Sequence, residues 1–322
     1  MLRIFKQIML ALCLGGAMAG ACATSTWPSK PIRLIVPFPP GGATDTIARL
    51  VAQKLSAKWS QQIIVDNRPG AGTIIASDLA AKSPPDGYTL LIVTAAFAVN
   101  PSLYSKLPYN VEKDFAPITL ISSAPNLLVI NPKLPVSSVQ QLIDYAKSHP
   151  DTINFASAGN GTSNHIAGEM FKSMAGVQIT HVPYKGDAPS ITDLIGGQVQ
   201  MLFIGLAPVS DYLKSGRLKA LAISSLRPSP LAPGLPTVAA TVPGFESAVW
   251  NGLVAPKRTP PEVVQRIQSD IATVLAEKDT RDRILSFGFE PVGDTPAQFG
   301  AYLKQEMQRS AKVVRDAGIK VE

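Results

Sequence analysis

Short apolar runs alternate with longer amphipathic segments along most of the chain. In the first third, Ile32–Val36 is typical of a buried strand, whereas Thr44–Trp59 has its apolar residues at helical spacing. Further apolar runs at Ile63–Val65 and Leu90–Val93 predict two more strands. Strands that are separated by helices indicate β-α-β units, which favours a sheet of mainly parallel strands.

The same alternation returns farther along the chain. The predicted strands are Leu127–Ile130, Ile153–Ala156, Ile179–Val182, Met201–Ile204 and Leu218–Ser224. One helix is predicted to begin at Ser137, where Gln140 can complete a capping box. A second is predicted to run through Met170, and a third to cover Ala188–Ile195. We therefore expect an α/β protein with two mixed, mainly parallel sheets.

The last third begins with a proline-rich stretch, residues 227–244, which predicts an irregular connector. Thr259 and Thr295 each precede a proline and a predicted helix, and Glu262 and Gln298 can complete capping boxes with them. Two sheets followed by these helices favour two lobes, with the chain returning to the first lobe near its end. The expected lobes are 24–122 plus 250–322 for the first and 123–249 for the second.

Composition supports a folded protein and restricts its partners. Of the 322 residues, 46% are apolar and 16% are charged, which allows a substantial core and argues against disorder. The formal net charge is +7, but the basic residues are scattered, so nucleic acid is not an expected partner. Only a mild attraction for anions follows from this charge.

The first 23 residues have the layout of a secretory signal peptide. Arg3 and Lys6 form a basic start, an apolar run covers Ile8–Met18, and small residues occupy Ala19–Ala23. The apolar run is shorter than a membrane-spanning helix requires, although a retained N-terminal anchor is the alternative. The pattern predicts export and a periplasmic location.

The position of cleavage decides what becomes of the two cysteines, Cys13 and Cys22, which both lie in this leader. Cleavage after Ala23 leaves a mature chain without a thiol, which suits an oxidising compartment. Cleavage after Ala21 would instead leave Cys22 as the first residue, open to lipid attachment. The lipoprotein is the less favoured alternative, because Ala19 occupies the position where such signals usually carry leucine.

Two glycine-containing loops join predicted strands to predicted helices. In residues 37–45, Gly41 and Gly42 precede a helix start, where unpaired backbone N–H groups and the helix dipole favour an anion. Residues 156–165 repeat this layout with hydroxyl and amide side chains, and residues 182–189 form a third such loop. Loops at the carboxyl ends of parallel strands bind ligands in open α/β sheets. Loops from different lobes would form a clamp; alternatively, they lie on unrelated faces of one large domain.

Motifs of catalysis and cofactor binding are incomplete. The sequence contains neither a P-loop nor a Gly-x-Ser-x-Gly elbow, and Asn164 replaces the third glycine of a dinucleotide fingerprint. His165 and Glu169 lie one helical turn apart and could bind a metal ion, but a plain helix-face pair is favoured because no further ligands lie nearby. We expect no cofactor, no metal and no enzymatic activity.

Many segments in this order resemble the substrate receptors of tripartite tricarboxylate transporters, known as Bug-type periplasmic binding proteins. The matching segments are 31–38, 41–45, 67–72, 85–90, 113–118, 157–161, 181–186, 196–198, 221–222, 250–253 and 255–256. The sequence departs from the family pattern at Thr73–Ile75, Gln200 and Val238–Ala240, which affects the expected hinge-side and docking surfaces rather than the clamp.

The resemblance implies a two-lobed, Venus-flytrap fold of the type II periplasmic-binding class. It implies a monomeric receptor for a small organic carboxylate, such as a di- or tricarboxylate, an acidic amino acid or an aromatic acid. The partners would be the membrane permease subunits of a tripartite transporter. A carboxylate-sensing module that acts on a signalling protein, or a periplasmic enzyme on the same scaffold, are the alternatives.

Loop chemistry and resemblance together select the candidate ligand contacts. In the first lobe they are Phe38, Pro40, Gly41, Gly42, Ala43, Thr44, Asp45 and Ala96. In the second lobe they are Ser157, Gly159, Asn160, Gly161, Thr162, Ser163, His165, Tyr184, Lys185 and Gly186. Phe38 is either an apolar wall of the site or a core residue. Asp45 either caps its helix or meets the amino group of an amino-acid ligand.

Overall fold

The computed structural model describes residues 27–319, so the predicted leader lies outside the described residues. The strands are β1 Ile32–Val36, β2 Ile63–Asn67, β3 Thr89–Val93, β4 Phe115–Pro125, β5 Leu127–Ile130, β6 Asn154–Ser157, β7 Thr180–Pro183, β8 Met201–Ile204, β9 Lys219–Ile223, β10 Ala248–Pro256 and β11 Glu290–Pro291. The helices are α1 Ala43–Trp59, α2 Ile74–Ala81, α3 Ala95–Leu103, α4 Val111–Asp114, α5 Val139–Ser148, α6 Ser163–Ala175, α7 Asp187–Gly196, α8 Ser210–Lys214, α9 Pro261–Ala276, α10 Lys278–Ser286 and α11 Pro296–Asp316.

The strands form two sheets, in the orders β11-β4-β10-β3-β1-β2 and β7-β6-β8-β5-β9. The prediction of a two-sheet α/β protein with mixed sheets is confirmed. The expected dominance of parallel strands needs correction. Only β1 with β2 and β3, and β6 with β7 and β8, pair in parallel among the described strands. Parallel pairs need a crossover helix, whereas β4 and β10 run in opposite directions as the chain passes between the sheets.

The passage between the sheets is short and hydrogen-bonded. Asn126 is the single residue between β4 and β5, and it is fully buried. Its backbone N–H donates to the Ser224 hydroxyl over 2.7 Å, and its side-chain amide donates to the Ser247 hydroxyl over 3.2 Å. The Ser224 hydroxyl in turn donates to the Ser247 carbonyl over 2.5 Å. The chain segments that leave and re-enter the first sheet are therefore tied together at one point.

The last helix packs on both halves of the molecule. In α11, Phe299 and Leu303 belong to a core cluster built on the first sheet, which also contains Trp250. Near its other end, Val313 and Val314 belong to the main core cluster of the second sheet. The described helices include none that is long and apolar enough to cross a membrane.

Helix starts test the capping predictions directly. Thr295 and Gln298 form the predicted capping box at α11. At α9 the prediction is wrong, because Pro260 occupies the N-cap and the buried Thr259 hydroxyl finds no hydrogen-bond partner within the described residues. At α5 the cap is Ser138, one residue later than predicted. The stretch 227–244 is irregular as predicted, apart from a single 3-10 turn at Val238–Ala240.

Candidate functional site

A cavity of about 710 Å³ lies between the two sheets, within the size range of small-molecule sites. Residues that follow strands of the first sheet line one side, and residues that follow strands of the second sheet line the other. The first side comprises Pro37, Phe38, Pro39, Ala43, Thr44, Pro69, Gly70, Gly72, Thr73, Thr94, Ala95, Ala96 and Asn100. The second comprises Ala158, Asn160, Gly161, Thr162, Ser163, Asn164, Asp187, Ile204, Gly205, Leu206, Ala207 and Pro208. Crossing and C-terminal segments add Ala124, Asn126, Val249, Trp250, Phe287, Gly288 and Phe289.

The first turn of α1 meets this cavity through Ala43 and Thr44. Gly42 is its N-cap and has no side chain that could satisfy the free N–H groups of this turn. The preceding Gly41 has φ +92°, in the region that favours glycine, and its N–H donates to the Asp45 carboxylate over 2.9 Å. The loop therefore turns sharply and leaves the start of α1 open toward the cavity.

Asp45 is bound by the protein itself. The side chain is almost fully buried and accepts hydrogen bonds from Gly41, from the Asn67 amide over 2.8 Å and from the Arg49 guanidinium over 2.9 Å. Burial alone would raise the pKa of Asp45, but hydrogen bonds from Arg49, Gly41 and Asn67 outweigh it, and the pKa is lowered. Asp45 is thus an ionised anchor of the loop rather than part of the cavity lining.

On the same side as α1, the start of a second helix, α3, faces the cavity through Thr94, Ala95 and Ala96. Ala96 was among the predicted ligand contacts, but the helix that contains it was not predicted. Thr94 is the N-cap residue, yet within the described chain its side chain makes no capping hydrogen bond. The starts of α1 and α3 consequently direct unpaired backbone N–H groups from the first sheet into one space.

The second side is formed by the loop between β6 and α6. Gly159 and Gly161 both have positive φ values, +128° and +78°. The Thr162 hydroxyl donates to the Gly159 carbonyl over 2.6 Å, which holds the turn, and Thr162 and Ser163 at the start of α6 line the cavity. As at α1 and α3, no side chain among residues 27–319 caps this helix start.

Two histidines lie behind this loop. The rings of His165 and His181 stack with centroids 4.0 Å apart, and the Ser157 hydroxyl and Nε2 of His181 share a 2.7 Å hydrogen bond. Burial lowers the pKa of His165 to about 3, with a further contribution from His181, and burial lowers the pKa of His181 to about 4. Both rings are therefore neutral at neutral pH and support the loop from beneath.

His165, Glu169 and His181 bring side-chain atoms within 4.8 Å of one another, which raises the question of a metal ion. Nδ1 of His165 accepts the Gly161 N–H over 3.1 Å, so the ring proton belongs on Nε2. A metal-binding imidazole instead presents a lone pair to the ion and donates from its other nitrogen. With Nδ1 occupied and Nε2 protonated, His165 does not fit a metal ligand.

The third predicted loop, residues 182–189, contributes to the cavity lining, but not through the three residues selected from it. The Tyr184 hydroxyl donates to Asp193 over 2.7 Å, Lys185 is exposed outside the cavity, and the Gly186 N–H donates to the Ala158 carbonyl over 3.1 Å. Burial and Asp193 raise the pKa of Tyr184 to about 12. The next residue, Asp187, is the one that lines the cavity.

Asp187 is the one charged side chain among the described residues that line the cavity; no lysine or arginine lines it. Its carboxylate accepts a 3.1 Å hydrogen bond from the Asn164 amide. It is exposed to the cavity space, but the enclosing protein removes much of its hydration and raises its pKa, which the Asn164 hydrogen bond partly offsets.

The structure brings part of the predicted set together. The predicted residues that line the cavity are Phe38, Ala43, Thr44, Ala96, Asn160, Gly161, Thr162 and Ser163. The predicted residues that lie outside the lining are Pro40, Gly41, Gly42, Asp45, Ser157, Gly159, His165, Tyr184, Lys185 and Gly186. Asp187 was not selected, although it lies within the third predicted loop, residues 182–189. Apolar walls such as Leu206, Val249 and Phe287 were not predicted either, because no local signal exists for them.

Residues 47–319 match the family model described as "Tripartite tricarboxylate transporter family receptor". Protein BugT of Bordetella pertussis is 37% identical over 324 residues, which cover 100% of this chain and 99% of BugT. The solved structure of R. palustris Rpa4515 with adipate has a TM-score of 0.81 at 37% identity and covers 92% of this chain and 100% of that one. The periplasmic binding protein BugD has a TM-score of 0.77 at 33% identity, with coverages of 92% and 100%.

Proposed function

The chain belongs to the receptor family of tripartite tricarboxylate transporters, and we propose that it binds a small organic carboxylate between its two sheets and delivers it to the permease of such a transporter. One observation carries this proposal. The starts of α1, α3 and α6 face a shared cavity that no lysine or arginine lines among the described residues. Backbone N–H groups and helix dipoles are the sources of positive potential that remain there.

A carboxylate suits this arrangement physically. Each helix start contributes about 0.3–1 kcal/mol toward an anion, and up to about 2 kcal/mol where water is partly excluded. Hydrogen bonds from N–H and hydroxyl donors to a charged group contribute roughly 1.5–3 kcal/mol each. The hydroxyls of Thr44 and Ser163 lie at these helix starts, and we assign them to the ligand carboxylate together with the adjacent backbone.

The predicted site residues divide into two roles in this proposal. Those that line the cavity contact the ligand, with Phe38 as an apolar wall. Those behind it hold the loops, as Asp45 does through Gly41, and as His165 does through Gly161. Tyr184 and Lys185 lie outside the lining, so in this proposal they contact only a ligand that extends beyond it.

Ligand binding is proposed to close two lobes, 24–122 plus 250–322 and 123–249. The two sheets and the hydrogen-bonded crossing at Asn126 support such a hinge. A Cβ atom on Gly161 would lie 2.8 Å from Cδ1 of Leu103 in α3, so the two sides are already in close approach. Closure is favoured only to the extent that the ligand fits the closed state better than the open one.

Export follows from the predicted leader, residues 1–23, and places the receptor in the periplasm in this proposal. The description of BugD as a periplasmic binding protein supports that location. The mature chain is proposed to begin near Thr24 and to act as a monomer. Because the matching family is one of receptors, the ligand leaves unchanged.

A thermal-shift screen of about a hundred organic acids and amino acids tests the proposal. A ligand at 100 times its Kd stabilises the native state by about 2.7 kcal/mol, which gives a clear increase in Tm. We expect at least one carboxylate, and not its amide or methyl ester, to produce this increase. If no carboxylate stabilises the protein, the proposed function is wrong. Following a stabilising ligand by NMR over hours checks that it is not converted.

A further inference from the structure

The charge distribution inside the cavity restricts the ligand further. A receptor for dicarboxylates needs donors or positive charge at two places. Among the described residues, the lining contains one ionisable side chain, and it is the acid Asp187. A second ligand carboxylate in this cavity would therefore find no cationic side chain among the described lining residues, and near Asp187 it would meet a like charge.

The position of Asp187 relative to the proposed carboxylate site matters as much as its charge. Its hydrogen-bond partner, Asn164, is the second residue of α6, and Ser163 is the first. Asp187 thus lies beside the helix start that is assigned to the ligand carboxylate. A positive group that pairs with Asp187 must then be attached to the ligand close to that carboxylate.

The remaining lining is largely apolar. Phe38, Leu206, Val249 and Phe287 are partly exposed side chains around the cavity, and they come from four separate segments of the chain. Such walls favour the burial of an uncharged hydrocarbon or aromatic group by the hydrophobic effect. They provide no partner for a second charge at the far end of a ligand.

We propose that the cavity selects an α-amino acid with an uncharged, apolar side chain, and that Asp187 is the residue that sets this specificity by pairing with the ligand ammonium group. In an α-amino acid the nitrogen is bonded to the carbon that carries the carboxylate, which matches the closeness of Asp187 to the start of α6. The apolar side chain then lies against Phe38, Leu206 and Phe287. This inference rests on the proposed carboxylate-binding function.

Four probes that share one benzyl group separate the alternatives. L-Phenylalanine carries an ammonium beside its carboxylate, 3-phenyllactate carries a hydroxyl there, 3-phenylpropionate carries neither, and benzylmalonate carries a second carboxylate. L-Leucine, 2-hydroxyisocaproate and 4-methylpentanoate repeat the comparison with an aliphatic group. In calorimetric titrations of the mature protein, we expect the affinity for each amino acid to be at least about tenfold higher than that for the corresponding hydroxy acid. The affinity for benzylmalonate is expected to be the lowest.

Substitution of Asp187 tests its role. Asp187→Asn and Asp187→Ser keep a polar residue at the helix start and remove the charge, so both are expected to fold. Each substitution is expected to weaken the binding of the amino acids by about 10- to 100-fold. The affinity for 3-phenylpropionate should stay unchanged or increase, and the affinity for benzylmalonate should increase. Asp211→Asn removes the same charge from an exposed site outside the cavity lining and is the matched control.

The outcomes separate this inference from the function on which it rests. If the wild type binds adipate or benzylmalonate in preference to the amino acids, or if Asp187→Asn leaves the ranking unchanged, the inference is wrong and the carboxylate receptor stands. If no carboxylate binds, neither these probes nor any acid of the thermal-shift screen, the proposed function fails and the inference fails with it. Unchanged ligand ranking in Asp211→Asn, together with a changed ranking in both Asp187 variants, supports the proposal.

Discussion

The backbone N–H of Gly161 donates a 3.1 Å hydrogen bond to Nδ1 of His165, four residues farther along the chain. The bond joins a glycine of the cavity lining to a buried, neutral histidine of the stacked pair. The shape of the loop between β6 and α6 consequently depends on the His165 ring, which does not itself line the cavity.

Gly161→Ala is expected to weaken binding of every carboxylate at least about tenfold. The residue has φ +78°, and a Cβ atom there would lie 2.8 Å from Leu103, so the change adds both backbone strain and an obstacle to closure. Gly176→Ala is the control, because Gly176 also has positive φ but has open space around it. That variant should lose about 1 kcal/mol of stability and keep its affinity. Equal affinities of both variants and wild type would place the clamp elsewhere.

Acid is expected to destabilise the fold through the histidine pair. The folded pKa values of about 3 for His165 and about 4 for His181 lie below the unfolded value of about 6.5. The stability from keeping these rings neutral is therefore complete above about pH 6.5 and is lost as the pH falls toward the folded pKa values. At about pH 5 the loss amounts to about 2 kcal/mol for each histidine.

Glu169 acts in the opposite direction, because burial raises its pKa and Lys172 only partly offsets this. Glu169 therefore offsets part of the loss from the two histidines, and we expect the free energy of unfolding to be lower at about pH 5 than at about pH 7, measured by urea unfolding. His165→Asn should reduce this pH dependence, whereas substitution of the exposed His149 by Asn should leave it unchanged. A wild-type stability that stays constant over this range contradicts the prediction.

Asp45→Asn is expected to lower the affinity for all carboxylate ligands to a similar extent. The substitution leaves Arg49 without its carboxylate partner and turns one acceptor toward Gly41 or Asn67 into a donor, so the loop before α1 loses its shape. Removing acceptors of this kind costs about 1–3 kcal/mol of stability. Calorimetry with L-phenylalanine and 3-phenylpropionate distinguishes it from Asp187→Asn, since a selective loss of the amino acid would mean that Asp45 contacts the ligand ammonium.

Export is expected to remove the predicted leader. Mass spectrometry of the protein recovered from the periplasm should give a chain that begins near Thr24 and contains no cysteine, because Cys13 and Cys22 are the two cysteines of the sequence. An intact Met1 would show that the leader is retained. A lipid-modified Cys22 would show that the lipoprotein alternative is correct.

Local sequence chemistry predicted much of the fold. The strands Ile32–Val36 and Leu127–Ile130, the capping box at Thr295 and the irregular stretch 227–244 occur where the pattern indicated. These features depend on residues that are close together along the chain. The long crossing strands β4 and β10 were not predicted. Pro117, Ser122 and Ser123 interrupt the apolar pattern of β4, Asn251 and Gly252 interrupt that of β10, and the two strands pair with each other.

The sequence by itself determined which loops end at helix starts, and therefore that an anion is a suitable ligand. Only the tertiary structure decided what surrounds that anion. It brings Leu206, Val249 and Phe287 from distant segments to one cavity, buries Asp45 against Arg49, and exposes Asp187 to the cavity space. The physical reason is that a local pattern records backbone conformation and average burial, whereas the neighbours of a side chain depend on how the chain passes twice between two sheets.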